Sequence, residues 1–173
     1  QRSLLQGYQY DIAHYATAEE KVKAEKCYLS LAKQLLDKEN HKFQYKEVEH
    51  GGRAQKYFSS IEWLLRADMV HLCKRVTDIR FDLDDYARDD FFRAYTTDLS
   101  LLMAMKDFSI KQHIIENTLI GNSKGGIFEC AVADALYKKG YPLYFYKNET
   151  TKKEYPFDFE LEITHRLQGG RLS

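Results

Sequence analysis

Two stretches of this chain hold side chains of the types and spacing that do chemistry. The first, LIGNSKGGIFECAVADAL at residues 119–136, places glycines and a lysine ahead of a helical pattern, as phosphate-binding loops do. A Walker A loop requires G-x-x-x-x-G-K-[ST], because the lysine reaches the phosphates and the hydroxyl meets magnesium. Gly121 and Gly126 have the required separation, but Ile127 and Phe128 stand where the lysine and hydroxyl belong, and Lys124 precedes the second glycine. The dinucleotide pattern G-x-G-x-x-G fails as well. Nucleotide binding is therefore excluded at this loop. The second stretch, FDFELE at 157–162, carries Asp158, Glu160 and Glu162 at alternating positions. On a strand these carboxylates share one face, opposite Phe157, Phe159 and Leu161.

A glutamate connects the two stretches. On a helix over 127–139, Asp134 and Lys138 fall on one side, while Glu129 lies opposite, between Val132, Ala133 and Leu136. A carboxylate on an apolar arc is costly to bury unless it is paired, hydrogen-bonded or metal-bound. One reading is a glutamate near a helix N-terminus, favoured by the helix dipole by about 0.3–1 kcal/mol. The other aims Glu129 into a site. For the strand, the alternatives are a solvated outer face or a hard-cation site for Mg²⁺ or Mn²⁺ built from Glu129 and Asp158, with Glu160 as a further oxygen ligand.

Other candidates are weaker. Asp82, Asp84 and Asp85 lack the calcium-loop spacing, since Tyr86 and Ala87 occupy a ligand position and the glycine position. Arg53, Lys56, Lys74 and Arg75 are candidates for phosphate contacts with nucleic acid, against the simpler reading of a solvated surface. Three scattered cysteines without a C-x-x-C pair support neither a zinc ribbon nor a disulfide framework, and suggest a reducing, cytoplasmic setting.

The elements that must carry these groups follow from patterning. With 173 residues, 26 basic against 26 acidic side chains and two prolines, the chain is neither a basic nucleic-acid glue nor a disordered linker. No apolar run has the length of a membrane span. Thr17 with Glu20 fits a capping box ahead of a helix whose apolar face runs from Val22 through Cys27, Leu29, Leu31, Ala32, Leu35 and Leu36, with Asn40 as its stop. A second helix is expected over RAQKYFSSIEWLLRADM. VHLCKRV then alternates as a strand, with His71 on its polar side. Helix, turn, helix and strand is the order of a winged-helix module. FDLDDYARDD reads as an acidic linker. Thr97 or Asp98 caps the helix LSLLMAM, SIKQHIIENTLIGN is a helix ending at its glycine, and GIFECAVADALYKKG is a helix closed by Gly140. An aromatic strand, YPLYFYKN, and the turn NETT precede a final strand in which Pro156 suggests an edge.

Several of these segments together resemble the C-terminal region of a family of bacterial and archaeal AAA-superfamily ATPases, a region itself described as a domain of unknown function. YDIAHY resembles the junction leaving the ATPase module. KFQYKEV with RAQKYFSSIEWLLRADMVHLCKRV is similar to its winged-helix-like segment, and FRAYTTDLSLLMAM to its K-x-Y-x-x-D-x-G-L-L segment, with Ser100 for the glycine. KGGIFECAVADALYKKGYPLYFYK resembles its G-x-x-F-E helix and aromatic strand, and FDF its x-D-F strand. The resemblance implies an α+β chain: a helical, winged-helix-like unit over 1–80, an acidic linker over 81–90, and an incomplete restriction-endonuclease-like α/β unit over 91–173. In that family Glu129 and Asp158 would map to the helix and strand carboxylates that hold a divalent cation. The match departs at the E-x-K strand, because no lysine follows Lys153. The expected function is therefore a non-catalytic accessory region of an AAA-type ATPase module in the same polypeptide, binding a protein partner or DNA and no membrane. The alternatives are a metal-dependent nuclease, active or decayed, and a winged-helix DNA-binding module.

Overall fold

A computed structural model describes residues 7, 18–36, 42–80, 82–106, 109–148, 150–151 and 154–155. The chain is a mixed α+β protein. In chain order its elements are α1 (Ala18–Leu36), α2 (Ala54–Arg66), β1 (Val70–Val76), β2 (Ala87–Thr96), α3 (Leu99–Ala104), α4 (Ser109–Ile115), α5 (Gly121–Lys138), β3 (Tyr144–Lys147) and β4 (Glu154–Tyr155). Short 3-10 turns precede α2 and β2. The sheet order is β2-β1-β3-β4. β1 pairs antiparallel with β2 and parallel with β3, and β3 pairs antiparallel with β4.

Helix ends follow local chemistry. Asp98 caps α3 by accepting the Ser100 backbone N–H at 2.7 Å, as its side-chain type predicts. α5 closes at Gly140, whose φ is +84°. There the N–H of Gly140 donates to Tyr137 O and that of Tyr141 to Leu136 O, the paired bonds of a Schellman end. Asn117 closes α4 and Asp68 closes α2 with the same bond pair, each at φ +53°. So α4 stops at an asparagine, not at the glycine expected from SIKQHIIENTLIGN. In the NETT turn, Asn148 Oδ1 accepts from the N–H of Thr150 and of Thr151, both at 2.9 Å.

The glycine-rich entry to α5 corrects the sequence reading. Gly125 and Gly126 lie inside the helix, four and five residues past its start at Gly121. A Cβ on Gly126 would stand 1.8 Å from the backbone oxygen of Leu35. The residue is glycine because α1 and α5 touch backbone to backbone there. Ser123 reinforces the crossing by donating to Leu36 O at 2.9 Å, satisfying a carbonyl in the last turn of α1 that has no intrahelical partner.

The core is one cluster drawing on α1, α2, β1, β2, α3, α5 and β3, with Tyr28, Tyr57, Tyr95, Phe145 and Leu31 among its fully buried side chains. α1 buries Ala24, Tyr28, Leu31 and Leu35 but leaves Val22 and Leu29 at its edge, 51% and 39% exposed. Gln34 lies on the buried side because its Oε1 accepts the N–H of Gln44 at 2.7 Å, holding the following loop. The acidic stretch expected as a linker is strand from Ala87 onward, because Ala87 and Arg88 pair with Val76 and Arg75. The pairing is irregular between Lys74 and Arg75, which takes up Asp89, Asp90 and Phe91. Thr17, Asn40, Pro156, Asp158, Glu160 and Glu162 lie outside the described residues.

Candidate functional site

Register places the site. Directly paired residues of neighbouring strands share a face of the sheet. Tyr95 opposes His71, Arg93 opposes Cys73, Arg75 opposes Phe145 and Lys147 opposes Glu154. Because His71, Cys73 and Arg75 alternate along β1, these residues form one face, and α5 lies across it. Both faces of β1 consequently carry buried residues, Val70 and Val76 on one and His71 and Cys73 on the other. His71, expected on a polar side, is 1% exposed.

Under α5 this face gathers an ion cluster. Arg93 Nη1 donates to Glu129 Oε1 at 2.6 Å and Arg93 Nη2 to Glu154 Oε2 at 2.5 Å. The Tyr95 hydroxyl donates to the same Glu129 oxygen at 2.6 Å. Lys147 Nζ donates to Glu154 Oε1 at 2.8 Å. The Arg93 guanidinium rests on the ring of Phe145, 4.8 Å from its centroid, a placement that suits its planar, weakly hydrated charge. The Arg93 side chain is 8% exposed, against 24% for Glu129 and 18% for Glu154. Burial pushes the Tyr95 phenol well above its ordinary range, so it stays protonated and donates.

This geometry bears on the alternatives left open for Glu129. It sits in the third turn of a helix that begins at Gly121, too far in for the dipole effect of a first turn. Its counter-ion is Arg93. Among the described residues the cluster pairs Arg93 and Lys147 with Glu129 and Glu154. One Glu129 oxygen is thus taken up by a guanidinium and a phenol, while Asp158 and Glu160, expected with it around a Mg²⁺ or Mn²⁺ ion, lie outside the described residues. Among the described residues no three His, Cys, Asp or Glu side chains are grouped to hold a metal.

The basic candidates are not brought together as a phosphate-binding set. Lys56 Nζ donates to Glu49 at 2.6 Å, where Lys26 and Tyr57 converge on the same carboxylate and hold its pKa at about 2. Lys74 pairs with Asp89 at 2.7 Å. Arg75 lies over the Phe91 ring, 5.2 Å from its centroid. Arg53 is exposed at the start of α2. Sequence reading missed Arg93, Tyr95, Lys147 and Glu154. The signal available was an arginine between apolar neighbours in FFRAY, the counterpart of a glutamate on an apolar arc.

A second buried polar group lies further along α5. The His71 ring stacks on Tyr137 at 3.7 Å between centroids, and its Nε2 stands 3.5 Å from Asp134 Oδ1, too long for a strong hydrogen bond. Neither ring nitrogen has a hydrogen-bond partner among the described residues. Lys138 holds the other Asp134 oxygen at 2.6 Å. Asp134 is thus partly buried and not simply part of a solvated stripe. Desolvation lowers the His71 pKa below 6.5, and Asp134 only partly opposes it. The unfolded chain therefore takes up a proton at this residue first as pH falls. Stability is expected to decline from about pH 6.5 down through the lower folded value. Urea unfolding at stepped pH checks this. His71→Phe, which keeps the ring stack, should flatten that part of the profile.

No helix among the described residues is long and apolar enough to cross a membrane. No curated protein and no solved structure matches the chain. A family model described as a domain of unknown function, DUF8612, matches residues 1–112, more than half of the chain. That span contains Arg93 and Tyr95, whereas Glu129, Lys147 and Glu154 lie past it. The chain belongs to this DUF8612 domain family.

Proposed function

We propose that this chain is a non-catalytic accessory region, of the kind joined to an AAA-type ATPase module, and that it acts by binding a partner. The observation that carries the reading is the Arg93–Glu129 pair, 2.6 Å long and reinforced by Tyr95. A carboxylate that a nuclease would offer to a divalent cation is taken up by a guanidinium. In this reading the helix–helix–strand order ending at Val76 is a winged-helix-like unit. The Glu129 helix and aromatic strand are then a nuclease-like unit in which a fixed ion pair stands in place of metal chemistry. Lys56 and Lys74 are held by Glu49 and Asp89, which favours a protein partner over DNA.

The test is incubation of the full chain with supercoiled plasmid and Mg²⁺ or Mn²⁺, alongside Glu129→Ala. No nicking is expected from either protein. Metal-dependent nicking by the wild type that Glu129→Ala abolishes overturns the reading in favour of a nuclease.

A further inference from the structure

The helix that buries Glu129 against the sheet carries a second stripe on its opposite side. At 100° per residue, Lys124, Ile127, Phe128 and Ala131 point away from Glu129 and Ala133. With Leu99 and Met103 of α3, Ile114 and Ile115 of α4, and Leu119, they line a groove of about 450 Å³. Apolar side chains make up nearly all of its wall, and the surface continues outward. Phe128 is 60% exposed, Ile115 76%, Ile120 82% and Val132 45%. Large apolar side chains this exposed and this close together mark a surface that meets another molecule.

Charge says what kind of molecule. The charged residues lining the groove are Lys111 and Lys124, both exposed. Neither has an ion-pair partner among the described residues. Other lysines do pair with acids, such as Lys23 with Glu19, Lys26 and Lys56 with Glu49, Lys74 with Asp89 and Lys138 with Asp134, while Lys21, Lys46 and Lys139 share the unpaired state among the described residues. The nearby acid Glu116, just past the end of α4, accepts from Gln112. The groove therefore presents an apolar floor between two unmatched cations. Its extent favours a helix over a small ligand, because a ligand filling about 450 Å³ leaves Ile120 and Val132 outside. A helix laid along the groove covers them with side chains spaced three and four apart.

We infer that this groove docks an amphipathic helix of a protein partner, with an apolar stripe flanked by acidic residues that meet Lys111 and Lys124. This deepens the accessory-region reading and rests on it for the existence of a partner. It does not depend on whether Glu129 binds metal, so plasmid nicking and peptide binding report on the two separately.

The experiment is fluorescence polarisation of the full chain with two labelled synthetic helices of about 18 residues. Both have the same leucine stripe, flanked by glutamates in one and by lysines in the other. The acidic helix should bind at least about tenfold more tightly, with the preference shrinking as salt rises. K111E/K124E should reverse the preference. Phe128→Ser should weaken the acidic helix about tenfold or more. These side chains are exposed, so thermal melting should confirm that the variants fold. Equal binding of both helices, an unchanged preference in the charge-reversed chain, or saturable binding of dodecanoate without binding of either helix overturns the inference.

Discussion

Arg93→Met is expected to destabilise the protein by about 3 kcal/mol, lowering the urea midpoint by roughly 1–2 M. The substitution keeps much of the side-chain volume, so the Phe145 ring stays covered. It strands Glu129 without its cation and removes the guanidinium from Glu154, which keeps its contact with Lys147. The figure sits at the low end for a broken buried pair because Glu129 and Glu154 keep about a fifth of their side-chain surface in solvent. Arg93→Lys should be intermediate, since a single ammonium cannot reproduce a planar fork that gives one nitrogen to each carboxylate. Glu129→Gln should cost about 1 kcal/mol, because an amide oxygen still accepts from Tyr95 and Glu154 still neutralises Arg93. The double variant Arg93→Met with Glu129→Gln should lose less than the sum, by about 0.5–3 kcal/mol. A midpoint for Arg93→Met within about 0.5 kcal/mol of wild type would mean that the cluster is not closed under α5.

Adjacent glycines should respond to the same change with opposite signs. Gly126→Ala puts a methyl group 1.8 Å from the Leu35 carbonyl oxygen and 2.8 Å from its carbon. Those are backbone atoms of another helix, so no rotamer change relieves the clash and α1 must move off α5. The Ser123–Leu36 bond and the packing of Leu36 move with it. The expected loss is about 3 kcal/mol, at the upper end for overpacking. At Gly125 an added Cβ meets nothing within 4 Å. Gly125→Ala should therefore stabilise by about 0.5–1 kcal/mol, the difference between glycine and alanine inside a helix. Denaturant melts of the two variants side by side check this. Equal effects at both positions would place the α1–α5 crossing elsewhere.

These expectations separate what local sequence chemistry determined from what only the assembled fold decided. The helix from Ala54, the strand from Val70, the Asp98 cap, the Gly140 stop and the Asn148 turn were legible. Each depends on apolar spacing or on a side chain reaching backbone a few residues away. The start of α5 was not legible, because a glycine pair has the same composition whether it turns the chain or lets two helices touch. Only the Leu35 carbonyl, about ninety positions upstream, distinguishes the two.

His71 read as polar-facing because alternation along one strand carries no information about a helix that covers its second face. The residues 87–90 read as linker because their acids mask a strand whose pairing comes from β1. Glu129 was recognisable as anomalous from its wheel position, but its role was not. Its partner Arg93 lies 36 residues earlier on a strand, and Glu154 arrives from a third element. A charge in an apolar setting announces that it must be compensated. Whether a cation, a dipole or a guanidinium compensates it depends on contacts that exist only once β2, β4 and α5 have come together.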